Sequence, residues 1–149
     1  MRKLNLPAYD FNYRDEGGSS LVLDVYRKRY VVLTPEEEVR QRFARYLVEE
    51  KGFPASLLMT EQSLKLNKMT RRCDILVHKP AGHPAVLVEC KAPEVAISQA
   101  TFDQVARYNI AFNVNYLMIT NGLKHDCCKI DFENQEIKFL PSIPAYSEI

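Results

Sequence analysis

The sequence has no excess of charge of either sign. It carries 20 Lys and Arg against 19 Asp and Glu, for a net charge of +1. No global basic field is available to attract a polyanion, so any nucleic-acid partner must be held by a local patch or by a site. No apolar run approaches the roughly 18 residues that span a bilayer. The N-terminal residues Met1 to Pro7 contain no apolar stretch of signal length. A soluble, cytoplasmic protein with no membrane partner is therefore expected. The four cysteines, Cys73, Cys90, Cys127 and Cys128, lack the paired Cys-x-x-Cys spacing of a zinc site and read as reduced thiols. No internal repeat and no low-complexity tract interrupts the chain. What remains is a 149-residue sequence with 46% apolar and 26% charged residues, ordinary values for one globular domain with a real core.

The first 20 residues are polar and turn-rich, ending in Gly17-Gly18-Ser19-Ser20, and are expected to form a flexible arm, with one domain over residues 21–149. Short strands are expected at 21–25 and 30–33, around the basic turn Arg27-Lys28-Arg29. Thr34, Pro35 and Glu37 form a capping-box pattern, and Val39, Phe43, Tyr46 and Leu47 then recur at helical spacing until Gly52. A strand over 56–67 comes next, then two β-branched apolar segments, 72–79 and 84–91, separated by Pro80-Ala81-Gly82-His83. A helix over 98–113, a strand over 116–120 closed by Asn121-Gly122, and two weaker strands near 127–132 and 135–140 complete an α/β domain. The order predicts a mixed central sheet flanked by helices.

If residues 80–83 are the hairpin loop, opposing positions sum to about 163. Asp74 then lies across from Glu89, and Arg72 across from Lys91. Cys73, Ile75 and Val77 share the other, wholly apolar face with Cys90, Val88 and Val86. Facing carboxylates destabilise a sheet unless a cation compensates. Arg72 and Lys91 would make that compensation purely structural. A hard divalent ion, Mg²⁺ or Mn²⁺, does it better, held by Asp74, Glu89, the backbone carbonyl of Cys90 and water. Such an ion polarises a phosphoryl oxygen and activates a bound water. Lys91, on the same face as Glu89, then stabilises developing charge rather than acting as a base.

Arg72-Cys73-Asp74-Ile75-Leu76-Val77 followed by Val86-Leu87-Val88-Glu89-Cys90-Lys91-Ala92-Pro93 resembles the core of the PD-(D/E)XK nuclease superfamily. More narrowly, it resembles the N-terminal nuclease domain of type I restriction enzyme R subunits. Supporting segments are Thr34 to Gln41, Gln104 to Asn109 and Thr120-Asn121-Gly122, in the family's order over roughly residues 33–122. The resemblance implies a restriction-endonuclease-like core, metal on Asp74 and Glu89, and catalytic assistance from Lys91. It also implies that an acid on the first helix and the glutamine of the Gln-x-x-x-Tyr segment, Gln104, complete the site. Cys73 stands where the superfamily's name places proline. Type I R subunits continue into a helicase motor, which these 149 residues do not include.

Glu37 is explained by the capping box, whereas Glu36 shares the core-facing stripe of Val39 and Phe43, making it the candidate helix acid. Arg71 and Arg72, with Lys65 and Lys68, form a basic run suited to phosphate, and Tyr108 adds an aromatic side chain to the candidate nucleic-acid contacts. The expected activity is Mg²⁺-dependent hydrolysis of DNA phosphodiester bonds. Expected partners are DNA, a motor or specificity subunit, and a second copy where both strands are cut. Two other readings stay open: a non-catalytic module that binds nucleic acid or docks onto a motor, and a structure-specific or RNA-acting nuclease with the same chemistry.

Overall fold

The structure, a computed structural model, describes residues 3–110 and 112–149, with Leu66 and Tyr108 described in their main chain only. It begins with a three-stranded antiparallel meander: β1 (Tyr13–Glu16), β2 (Ser19–Asp24) and β3 (Arg29–Val32). Gly17 and Gly18 form the β1–β2 turn with φ of 58° and 82°, the pair of positive values that a two-residue turn needs to match strand twist. The first 20 residues therefore do not end in an arm. Residues 13–20 hold most of a hairpin, and Leu4 and Leu6 are buried in the main core. Two leucines at alternate positions in a polar stretch were too sparse to signal this.

Helix α1 (Pro35–Lys51) starts as expected, with the Thr34 hydroxyl accepting the Glu37 amide at 3.0 Å, and ends at Gly52. The capping box is only half formed. The Thr34 amide donates to the Val32 carbonyl, and the Glu37 carboxylate turns inward to Arg27, Arg40 and Gln41.

The principal sheet has the order β4-β5-β6-β7-β8-β9. Its strands are β4 (Leu58–Leu66), β5 (Met69–His78), β6 (Pro84–Cys90), β7 (Tyr116–Thr120), β8 (His125–Asp131) and β9 (Glu136–Leu140). Neighbours pair antiparallel except β6 and β7, which are parallel and joined by helix α2 (Gln99–Ile110). A parallel pair requires such a crossover, because a tight turn cannot bring the chain back in the same direction. Val39, Phe43 and Leu47 of α1 pack on one face against Ile75, Val77, Val86, Val88 and Met118. Phe102 and Ala106 of α2 pack on the other against Leu76, Leu87, Leu117 and Ile119. A sheet covered on both faces makes β6 apolar throughout its middle, Ala85 to Val88, rather than alternating.

Both faces of the β5–β6 hairpin are core, since Leu76 and Leu87, beyond the charged end of their face, are buried like Ile75 and Val88 on the other. The predicted register holds through Ile75↔Val88, Leu76↔Leu87 and Val77↔Val86, and shifts at His78 beside the loop. Among the described residues, no helix is long and apolar enough to cross a membrane.

Candidate active site

Asp74 lies where the ladder opens. Its neighbours in β5 pair with β4 as Cys73↔Gln62 and Ile75↔Thr60, while Asp74 and Glu61 drop out between them. Glu61 there has φ of 53°, a left-handed conformation that costs a non-glycine residue free energy. On its other side, the pairing of β5 with β6 ends at Ile75↔Val88. Asp74 and Glu89 are therefore not paired directly across the ladder as the arithmetic predicted, nor are Arg72 and Lys91. Instead the Asp74 carboxylate accepts the Cys90 amide at 2.8 Å, taking the place of a strand carbonyl.

The irregularity also changes which face each side chain uses. Ile75 belongs to the core on the α1 side, and Asp74 reaches Arg40 of that same helix. Cys73, expected beside Ile75, packs instead with the α2-side core. A period of two cannot be carried through residues that leave the ladder.

Arg40 gathers the acids on the α1 side. Its guanidinium lies 2.8 Å from Asp74, 2.7 Å from Glu61, 2.6 Å from Glu37 and 3.4 Å from Glu36. Behind it, Arg27 joins Glu37 at 2.7 Å to Asp24 at 2.5 Å, and Asp24 also accepts the Thr60 hydroxyl. Burial alone would raise the Asp24 carboxyl. Hydrogen bonds from Arg27, Thr60 and the Tyr26 amide outweigh it and hold the group below its ordinary value. The Arg40 side chain is 6% exposed, and the carboxylates around it hold its guanidinium firmly charged against the effect of burial.

Glu89 belongs to a second group. Arg71 of β5 pairs with one of its oxygens, and Lys91 lies 3.6 Å from the other. Arg71 also donates through Nε to Asn109 of α2 at 2.9 Å. The Lys91 amide donates to the Thr120 carbonyl at 2.8 Å, so β7 fixes the main chain from which the lysine projects. In an extended strand, the amide and carbonyl of one residue point the same way. The Cys90 carbonyl is therefore expected on the β5 side of the strand, as its amide is. Asn121 braces this end, accepting the Leu123 and Lys124 amides and donating to the Val95 carbonyl.

Glu89 and Lys91 lie together in this second group, while Asp74, tied to the Cys90 main chain, lies in the group that Arg40 gathers. Glu36 stands at the rim of this group, exposed rather than on the buried stripe. Its carboxyl is raised chiefly by partial burial and by Asp74, against the pull of Arg40 and Lys91. Gln104 is exposed on α2, and no described hydrogen bond joins it to the acids. Arg71, expected to face phosphate, turns inward to Glu89, with its side chain 14% exposed. Arg72 and Lys68 remain exposed, Arg72 pairing with Glu61 at 2.5 Å. The side chain of Tyr108 lies outside the described residues.

Arg40, Glu61 and Asn109 were missed by sequence reasoning. Arg40 had a signal, since it lies four residues after Glu36 and three after Glu37 on a helix, within reach of both. Glu61 and Asn109 had none, because each depends on a tertiary contact.

The oxygen donors fit a hard divalent cation in kind: the Asp74 and Glu89 carboxylates and the main-chain carbonyl of Cys90. The Cys90 thiol, pushed far up by burial, stays protonated and contributes no soft ligand. Among the described residues, no three His, Cys, Asp or Glu side chains are gathered to hold a metal. A metal here would thus rest on two carboxylates with main-chain and water oxygens.

Residues 35–144 match the family model for the type I restriction enzyme R protein N terminus (HSDR_N). The chain belongs to that family. The match runs from the first residue of α1 to just beyond β9 and so contains every residue of the site. The fold is similar to a solved structure described as the fragment of a putative HsdR subunit of a type I restriction enzyme from Vibrio vulnificus YJ016. The TM-score is 0.54 at 19% identity, over 78% of this chain and 24% of that one. This chain therefore spans about a quarter of that fragment's length. No curated protein matches it.

Proposed function

We propose that the chain is a restriction-type nuclease module of the PD-(D/E)XK kind that hydrolyses DNA phosphodiester bonds with Mg²⁺ or Mn²⁺. The observation that carries the reading is the break in the sheet at Asp74. There the carboxylate is anchored on the Cys90 amide, and the chain continues from that anchor to Glu89 on one side and Lys91 on the other. Asp74 and Glu89 with the Cys90 carbonyl are the proposed metal donors. A divalent cation bound there supplies Lewis-acid activation of the phosphoryl group and a hydroxide near neutral pH.

The chain's own residues do the rest by position. The Cys90 amide and Arg40 fix the two oxygens of Asp74 in different directions. Lys91, with its main chain tied to Thr120 and its side chain 34% exposed, extends its ammonium toward substrate and stabilises charge accumulating on the phosphoryl oxygens. Glu36 is the proposed helix acid at the rim. Lys68 and Arg72 hold the nucleic-acid backbone beside the β4–β5 turn. DNA, together with motor and specificity subunits, forms the proposed set of partners, and the cytoplasm the proposed compartment.

The test is calorimetric titration of Mg²⁺ and Mn²⁺ into wild-type protein and Glu89→Ala, with plasmid nicking on the same samples. Binding and nicking that both disappear in the variant support the reading. A wild-type protein that binds neither ion and nicks no DNA would sink it and favour a docking or nucleic-acid-binding module, for which the existing arginine pairing of both acids suffices.

A further inference from the structure

Glu89 is already neutralised. Arg71 contacts one oxygen of its carboxylate and Lys91 stands near the other, while the Glu89 side chain is only 17% exposed. A divalent cation arriving at this carboxylate meets a guanidinium in hydrogen-bonding contact with one of its oxygens, and like charges at that separation repel strongly where water is scarce.

The two arginines of the site are not equivalent in this respect. Arg40 bonds Glu37 and Glu61 as well as Asp74, so it keeps carboxylate partners in place when Asp74 turns to a metal. Arg71 contacts Glu89 through Nη2 and donates from Nε to the Asn109 amide. Asn109 is 1% exposed, and its Oδ1 accepts from Arg71 Nε while Arg71 Nη2 reaches Glu89. The amide thus helps aim the guanidinium at the carboxylate. Its Nδ2 has no hydrogen-bond partner among the described residues, so the orientation of the amide is set by its bond to Arg71.

We propose that Arg71 is a built-in counter-ion of Glu89, that a divalent metal must displace it to bind, and that Asn109 is the positioning residue setting how firmly it is held. Displaced, the guanidinium remains a cation beside the site, where the phosphate of a bound nucleic acid can meet it. Metal occupancy and phosphate affinity are then linked through one side chain. The inference rests on the metal site proposed above.

The experiment is calorimetric titration of Mn²⁺ into wild type, Arg71→Met, Asn109→Ala and Glu89→Gln, with circular dichroism melts establishing that each is folded. Removing the competing cation should tighten Mn²⁺ binding about tenfold in Arg71→Met. Loosening its hold should tighten binding severalfold in Asn109→Ala, which retains the arginine and provides a second route should Arg71→Met fold poorly. Glu89→Gln should abolish binding. If Glu89→Gln abolishes binding while the other two variants bind no more tightly than wild type, the counter-ion proposal fails and the metal site stands. If wild type and variants alike bind no Mn²⁺, or if binding survives Glu89→Gln, both proposals fail.

Discussion

Arg40 lies 2.6 Å from Glu37, one turn earlier in α1, and both side chains are almost completely buried. The pair is the midpoint of a chain of contacts running from Asp24 and Arg27 in the N-terminal meander to Asp74 at the break in the main sheet. Breaking a buried ion pair at one partner leaves the other charge uncompensated, which costs about 3–5 kcal/mol. Arg40→Met should lower unfolding free energy by about that amount in urea denaturation. Pairing it with Glu37→Gln should recover part of the loss. A double variant no more stable than Arg40→Met would show that Glu37 is not the charge left stranded.

Stability should also fall on mild acidification through His125. Its ring stacks near Phe43 and Tyr46, with Nδ1 2.7 Å from the Thr120 hydroxyl and Nε2 2.8 Å from the Asn5 carbonyl. Burial lowers its pKa, and the opposing influences of the Asn5 carbonyl and Asp126 do not restore it. The folded state therefore binds the proton less readily than the unfolded chain. The stabilising contribution is complete above the unfolded value of about 6.5 and is lost as pH falls through the lower folded value. Melting temperatures between pH 8 and 5 should decline for wild type and change less for His125→Asn.

Gly122 should not accept a side chain. Its φ is +85°, and an added Cβ would come within 2.9 Å of Leu4 Cδ2 and 3.1 Å of Val39 Cγ2. Backbone strain and crowding together should destabilise Gly122→Ala by about 1–3 kcal/mol in chemical denaturation. Leu4 is on a flexible side chain, so Leu4→Ala in the same background should relieve the crowding part but not the backbone part.

The proposed DNA contacts carry their own signature. Arg72 is 76% exposed at the side chain, and Lys68 is exposed in the nearby turn. Each phosphate contact removed should flatten the logarithmic dependence of duplex affinity on salt by about 0.9. Fluorescence anisotropy of Arg72→Ala and Lys68→Ala across a salt series measures it. An unchanged slope in both variants would place the backbone contacts elsewhere.

The elements were largely legible because their signals are local. The Thr34 cap, the spacing of Val39, Phe43 and Leu47, and the four-residue loop after Lys79 each depend on neighbours in sequence. From them the register Ile75↔Val88 was computable. The failures share a different cause. Glu37 carried two compatible explanations, a cap and a buried ion pair, and only Arg27 arriving from another element decides between them. Glu61 and Asp74 leave the ladder together, which shifts Cys73 to the α2-side core, and no pattern in either strand announces it. The arm expected before residue 21 failed for a similar reason, since Leu4 is buried by Gly122 and Val39, far along the chain.

The parallel seam between β6 and β7 bears on how the molecule comes into being. On either side of it lie meanders, β4-β5-β6 and β7-β8-β9, whose partners adjoin in sequence and can pair early. The seam must wait for α2 to form and swing across, since its contacts close a much longer loop. Yet Lys91 takes its anchor from Thr120 across that very seam, and Arg71 takes its own from the crossover helix. A chain with both meanders formed and the seam still open would already hold Asp74 on the Cys90 amide, but would lack the anchors of Lys91 and Arg71. The two cations beside Glu89 would gain their anchors only when the seam closes, after the acids themselves are already in place.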